Sequence, residues 1–164
     1  MTLPQLEKKA NAIRQDIIQM LTTAGSGHSA GPLGMADVFT ALYFSVLRHN
    51  PKKPNDPKRD RFFLSNGHIA PVWYAALAHA GYLPRREMLT TLRRLGTRLQ
   101  GHPHRKSLQP IENASGPLGQ GISQAVGCAY AARMDNSSFH VYCVCGDGEL
   151  DEGQIWEAAM FAGK

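Results

Sequence analysis

The sequence predicts an α/β fold, a parallel sheet flanked by helices, and two observations carry that expectation. Apolar residues at helical spacing alternate along the chain with short apolar runs, Phe62-Phe63-Leu64 and the stretch from Phe139 to Cys145; strands of that kind belong to sheets covered by helices. Both runs end in small, polar corners, Ser65-Asn66-Gly67-His68 and Gly146-Asp147-Gly148. In α/β domains such strand-to-helix corners gather on one edge, and that edge is where ligands bind. A length of 164 residues is one domain's worth. Two strands do not complete a parallel sheet, so residues 1–164 read as a single partial domain that continues past its C-terminus.

Each element has its own signal. Leu6, Ala10, Ile13, Ile17, Met20, Leu21 and Ala24 recur at helical spacing, giving a helix over 3–24 ended by Gly25. The glycine-rich run 25–34 reads as a loop. Met35, Val38, Phe39, Leu42, Tyr43 and Val46 make a second helix over 35–47, and the proline-rich run 50–57 a stiff surface loop. The strand Phe62-Phe63-Leu64 turns into a helix over 71–79, with Pro71 in its first turn and Gly81 past its end. Pro84 opens another helix with Met88, Leu92 and Leu95 on one face and Gly96 as its stop. Leu118, Ile122, Ala125, Val126 and Ala129 predict a helix to about Met134, followed by the strand 139–145, the Gly-Asp-Gly turn and a last helix holding Ile155, Trp156, Ala159 and Phe161.

Composition excludes several classes. An apolar content of 43% with 19% charged residues is that of a soluble globular protein. No run approaches the roughly 18 apolar residues of a membrane span, and the polar start lacks the apolar core of a secretory signal. The expectation is a cytoplasmic protein without a membrane partner. Cys128, Cys143 and Cys145 fit this: without a second pair, thiols in a helix and a strand pack as small hydrophobes rather than bind zinc. The net charge of +5 divides into +10 over residues 1–106 and −5 over 107–164. The basic residues are scattered, with no interleaved aromatics and no nucleic-acid motif, so solvated faces explain most of them, with an anionic substrate second and nucleic acid a distant third.

Four loops place small residues and a polar group beside a helix start: Gly27-His28, Asn66-Gly67-His68, Gly101-His102-Pro103-His104 and Gly116-Pro117-Leu118-Gly119-Gln120-Gly121. A lone loop histidine is more often a solvated or capping residue than a catalyst. Three Gly-His pairs together with Gly-Asp-Gly point to a cavity where imidazoles face a polar, anionic ligand and trade protons with it. At the Gly146-Asp147-Gly148 turn an apolar strand delivers one carboxylate between two glycines at a helix start. A hard divalent cation needs such an oxygen, a diphosphate needs backbone N–H groups, and glycine admits close approach. The alternative for Asp147 is a helix-capping carboxylate. Rival motifs fail on spacing: residues 116–121 lack the dinucleotide fingerprint, and no Gly-Lys-Ser/Thr occurs. A calcium loop from Asp147 would need Gly where Glu152 stands and Glu where Ala158 stands.

These segments together resemble the N-terminal, diphosphate-binding domain of the transketolase family. They are Ser26 to Ala36, Arg59 to His68, Leu99 to Pro103, Gly116 to Ile122 and Gly146 to Gly153, in that order, covering nearly the whole chain. The resemblance implies the thiamin diphosphate-binding fold and transfer of a two-carbon ketol unit from a ketose phosphate to an aldose phosphate. It implies that Asp147 ligates Mg²⁺ or Ca²⁺, that His68 and Gly148 contact the diphosphate of thiamine diphosphate, and that Gly116, Pro117 and Leu118 line the thiamine. His28 and His102 would meet the sugar hydroxyls as catalytic residues. It also implies a pyrimidine-binding transketolase domain or subunit as partner, in a homo- or hetero-oligomer. Glu152 and Glu157 match acids that the family places at its dimer interface, or are first-turn acids favoured by the helix dipole. Two departures stand out. Ser29 replaces the family's usual Pro, and the family's second metal ligand, an Asn, lies farther past Gly-Asp-Gly than the 16 residues that follow Gly148. Deoxyxylulose-phosphate synthase shares the cofactor, but Leu99-Gln100-Gly101-His102-Pro103 favours transketolase; a non-catalytic remnant acting as an interaction module is the alternative outside enzymes.

Overall fold

A computed structural model describes residues 1–164. The chain divides into two compact units, Met1–Pro54 with His68–Gly101, and Asn55–Gly67 with His102–Lys164. The expected α/β architecture holds: α1 (Leu3–Ala24), α2 (Ala30–Gly34), α3 (Ala36–Ala41), β1 (Arg61–Leu64), α4 (Ala70–Ala80), α5 (Arg85–Thr91), α6 (Gln120–Met134), β2 (Val141–Val144) and α7 (Gly153–Ala162) follow in order.

The first unit is helical. α1 starts at a capping box in which Thr2 and Gln5 satisfy each other's backbone N–H groups, and ends where Gly25 turns left-handed. It packs on α3, α4 and α5. α4 is the core of this unit: every residue from Ala70 to Leu77 is buried, and Trp73 donates its indole N–H to Tyr43 Oη at 2.5 Å. Burial pushes the Tyr74 phenol well up, so it stays a neutral donor, and it gives its proton to the Gln100 carbonyl at 2.9 Å.

One buried charge ties three helices together. Asp16 of α1 is 1% exposed and accepts from Arg85 of α5 (Nε 2.8 Å, Nη2 2.5 Å) and from His79 Nε2 of α4 at 2.9 Å. Lys9 Nζ lies 3.5 Å from His79 Nδ1; an ammonium only donates, so Nδ1 accepts and Nε2–H faces Asp16. Burial raises the Asp16 carboxyl, but the hydrogen bonds from Arg85 and His79 and the charge of Arg85 outweigh it and hold the group below its ordinary value. A carboxyl depressed in the folded state contributes stability that is present above its unfolded pKa and lost as pH falls through the folded one. Asp16→Asn is therefore expected to cost about 2 kcal/mol near neutral pH, less than a fully buried pair because Arg85 is half in water. In urea unfolding, the gap between wild type and variant should close below the ordinary carboxylate range; a gap independent of pH would contradict this.

Two expected helices differ in extent. The loop 25–34 turns helical at Ala30, because Pro32 falls in a first turn where its missing N–H costs nothing. The expected helix 35–47 is broken: after α3 the chain widens into a π turn over Leu42–Val46, closed by the Leu47 N–H on the Leu42 carbonyl at 2.8 Å. α5 stops at Thr91 rather than at Gly96. Arg93 is left-handed at φ 60° and its N–H goes to the Leu99 carbonyl at 2.8 Å, which leaves Leu95 fully exposed instead of on the core face.

The second unit holds the sheet. β1 and β2 pair in parallel with Arg61 opposite Val141 and Leu64 opposite Val144. α6 packs on the sheet and α7 on α6. β1 is buried from Phe62 onward, whereas β2 is half-buried throughout. Asn113 stands in for a further strand: its Oδ1 accepts the Leu64 N–H at 3.3 Å and its Nδ2 donates to the Leu64 carbonyl at 3.0 Å. No helix is long and apolar enough to cross a membrane. Part of the basic charge is paired within the chain: Arg14 pairs with Asp37, Arg98 with Glu87, and Arg59 and Arg61 with Glu112.

Candidate functional site

In the first unit two of the singled-out histidines meet. His28 is exposed just ahead of α2, and His68 is half-buried in the 3-10 turn Gly67–Ile69 that leads into α4. Their ring centroids are 5.1 Å apart with the planes tilted by 55°. Glycine permits this, since a Cβ on Gly31 would stand 2.7 Å from Ile69 Cγ2. A side chain there would push α2 off the turn that carries His68.

In the second unit the ends of both strands and the loop before α6 converge. The ladder continues past β1, with the Ser65 N–H on the Val144 carbonyl at 2.9 Å. The next residues press on the 115–121 loop: a Cβ on Gly67 would stand 2.8 Å from Ser115 Oγ and 3.0 Å from the Gly116 nitrogen. His102 borders the same loop, its ring 3.8 Å from the position of a Cβ on Gly116. Pro117 and Leu118 are exposed.

The organising group is one that the sequence reading passed over. Glu149 is 2% exposed, and its carboxylate accepts the Gly119 N–H (2.7 Å), the Gly146 N–H (2.8 Å) and the Ser65 hydroxyl (2.5 Å). Ser65 Oγ in turn accepts the Gly121 N–H at 3.0 Å. One buried carboxylate thus fixes the Gly-Asp-Gly turn, the end of β1 and the start of α6 relative to one another. Its signal was present as a spacing: an acid three residues after Gly146 reaches back to that residue's N–H, as the acid of a capping box does.

Asp147 itself is exposed, and although it opens the 3-10 turn Gly148–Asp151 its side chain makes no capping hydrogen bond. That removes the capping alternative. The turn has room and unspent valence for an anionic ligand with its cation. A Cβ on Gly148 would meet nothing within 4 Å, and the buried oxygens Asn66 Oδ1 and Ser115 Oγ have no partner. The residues present therefore fit a metal-bound diphosphate. No three His, Cys, Asp or Glu side chains converge on one point; an ion here would take most of its oxygens from water and phosphate, which is how Mg²⁺ is commonly held. Cys143 and Cys145 are free thiols with sulfurs 3.9 Å apart.

Comparison with known proteins is consistent with this architecture. The family model of the transketolase thiamine diphosphate binding domain matches residues 6–164. The chain is 48% identical over 158 residues to the 6-deoxy-6-sulfo-D-fructose transketolase subunit SqwG of Clostridium sp. (strain MSTE9), covering 96% of this chain and 57% of the relative. It is 44% identical over 162 residues to the transketolase of Mus musculus, covering 98% of this chain and 26% of that protein. The crystal structure of transketolase from Campylobacter jejuni superposes with a TM-score of 0.93 at 39% identity, covering 99% of this chain and 27% of that one. The chain thus spans about half the length of the first relative and about a quarter of the other two.

Proposed function

Because the chain belongs to the transketolase family, as its thiamine diphosphate-binding N-terminal domain, we propose that it binds thiamine diphosphate with Mg²⁺ or Ca²⁺ as a segment or subunit of a transketolase. The assembled enzyme moves a two-carbon ketol unit from a ketose phosphate to an aldose phosphate. The observation that carries this reading is the Gly-Asp-Gly turn: an exposed carboxylate not spent on capping, next to a glycine whose open side nothing in the chain fills. When bound, thiamine diphosphate supplies the carbon nucleophile and electron sink that C–C cleavage needs.

The chain's own residues bind and orient. Asp147 would hold the metal, and the Gly148 N–H and the His68 imidazole would contact the diphosphate, with Gly116, Pro117 and Leu118 lining the thiamine. His28 and His102, both exposed, would hold sugar hydroxyls and pass protons at their ring nitrogens. An anionic sugar fits the relative named for a sulfonated ketose as well as a phosphorylated one. A partner polypeptide with the pyrimidine-binding domain is favoured by the subunit status of that relative. It is also favoured by the apolar residues left in water on α6 and α7: Met134 is 69% exposed, Met160 66% and Trp156 59%. Glu152, beside α7, and Glu157, on it, are exposed, as acids at an interface with that partner would be before assembly.

Reconstitution tests it. The 164-residue chain alone should show no ketol transfer, and addition of the polypeptide that carries the pyrimidine-binding domain should restore it; turnover by the chain alone would contradict the reading. In the reconstituted enzyme His28→Ala and His102→Ala should raise KM or lower kcat with cofactor affinity unchanged, whereas His68→Ala should weaken cofactor binding. If all three variants behave alike, the division of roles is wrong.

A further inference from the structure

Cys143, in β2, and Cys145, one residue past its end, are thiols that the cofactor reading leaves without a role. Side chains two apart on a strand leave the same face, and here the two sulfurs stand 3.9 Å apart, in hydrogen-bond contact. Both residues are only partly buried, and Cys145 runs directly into the turn whose Asp147 and Gly148 are exposed. Two residues of strand span about 6.6–6.8 Å, the upper edge of the Cα separation that a disulfide bridges. Joining these sulfurs therefore requires the chain to shorten, and Cys145 is where it can. The ladder sets Cys143 opposite Phe63, and the Ser65 N–H on the Val144 carbonyl (2.9 Å) extends it one step past β1. Beyond Val144 the next tie is the Gly146 N–H on the Glu149 carboxylate at 2.8 Å. Drawing Cys145 back toward Cys143 pulls on that bond, which fixes the Gly-Asp-Gly turn.

We propose that Cys143 and Cys145 are a reversible oxidation site for hydroperoxides, and that their disulfide weakens cofactor binding by drawing Gly146 off Glu149. In the first step the Cys145 sulfur attacks one peroxide oxygen and the O–O bond breaks. The thiol proton goes to the departing oxygen, which for hydrogen peroxide leaves as water, and Cys145 becomes a sulfenic acid. The Cys143 sulfur then attacks the sulfenic sulfur; its proton and the hydroxyl leave as a second water, and the S–S bond forms. Across both steps the two thiols lose two electrons and two protons, and the peroxide gains them. A disulfide at the limit of its span is strained and easily reduced, which suits a reversible modification. The effect on the cofactor rests on the reading of the turn given above; the chemistry of the pair does not.

The test uses the enzyme assembled from this chain and its pyrimidine-binding partner, treated with hydrogen peroxide. Mass spectrometry of the digested chain reads the state of the pair, and calorimetry at fixed Mg²⁺ reads thiamine diphosphate binding. Peroxide should remove two hydrogen atoms from the peptide that carries both cysteines. It should also raise the Kd for the cofactor by about tenfold, the loss typical when a group that orients a site's ligands is displaced. Dithiothreitol should reverse both changes. Cys145→Ser and Cys143→Ala should each bind the cofactor as wild type does when reduced and keep that affinity after peroxide; either carries the test if the other does not fold. A peptide that keeps its hydrogens, or gains oxygen without closing the bond, overturns the proposal. So does a disulfide that leaves the Kd unchanged, or an equal loss of affinity in the variants. Absence of metal-dependent binding in the reduced wild type overturns the reading of the turn and the cofactor effect with it, while the mass spectrum shows separately whether the pair closes.

Discussion

Glu149→Ala is expected to lower the unfolding free energy of the chain by about 4 kcal/mol, since each buried donor left without its acceptor costs roughly 1–3 kcal/mol. The substitution strands the Gly119 and Gly146 N–H groups, and the Ser65 hydroxyl loses its carboxylate acceptor. For a domain whose whole stability is about 5–15 kcal/mol, that is a large share. Glu149→Gln preserves the shape but replaces one oxygen by an NH₂ group. Turned to satisfy Gly119 and Ser65, the amide points N–H at the N–H of Gly146, so about 1–2 kcal/mol should be lost. Urea unfolding followed by circular dichroism reads both values. Because the same carboxylate fixes the Gly-Asp-Gly turn and the start of α6, both variants should also weaken thiamine diphosphate binding in the assembled enzyme. An Glu149→Ala variant within about 0.5 kcal/mol of wild type, the range of ordinary surface changes, would show that the hub does not hold the loops.

Why Glu149 escaped notice in the sequence, when Asp147 two residues earlier did not, has a physical cause. Flanking glycines are a local signature, visible wherever they stand. The burial of Glu149 is set by Ser65 and Gly119, residues that are 84 and 30 positions away in the chain and arrive only through the fold. Asn66 behaves the same way: Asn-Gly-His marks a corner, but that its oxygen lies buried and unpaired is a tertiary fact. Local signals served well elsewhere. The periodicity of α1, the first-turn proline of α4 and the glycine stops at Gly25 and Gly81 were all legible, as was the parallel pairing implied by helices between apolar strands. They misled where a helix-breaking pair sits in a first turn, as Gly31-Pro32 does in α2. They also misled at Arg93, where a tertiary bond to the Leu99 carbonyl overrides the apolar spacing that Leu95 continues. The Asp147 carboxylate is exposed, and the buried acid of the turn is Glu149.

That exposure sharpens the second large effect. Asp147 makes no capping bond and buries little, so Asp147→Ala should leave the stability of the chain within about 0.5 kcal/mol of wild type. It should nevertheless abolish metal-dependent thiamine diphosphate binding in the assembled enzyme, because the charge proposed to hold the ion is removed and the neighbouring Glu149 is committed to three donors of the protein. Asp147→Asn keeps an oxygen of the same reach but loses the charge, and should bind more weakly than wild type with a steeper demand for Mg²⁺. The pairing of unchanged folding with lost binding separates a ligand from a structural residue. A cap would show the reverse, a loss of about 1 kcal/mol in stability with binding preserved.

The most direct measurement is a calorimetric titration of thiamine diphosphate at fixed Mg²⁺ into the assembled enzyme, wild type beside Asp147→Ala. Metal-dependent binding by wild type and none by a folded Asp147→Ala variant is the predicted result. A folded variant that binds the cofactor within about threefold of wild type, roughly 0.7 kcal/mol, would contradict the assignment of the Gly146-Asp147-Gly148 turn as the seat of the metal-bound diphosphate.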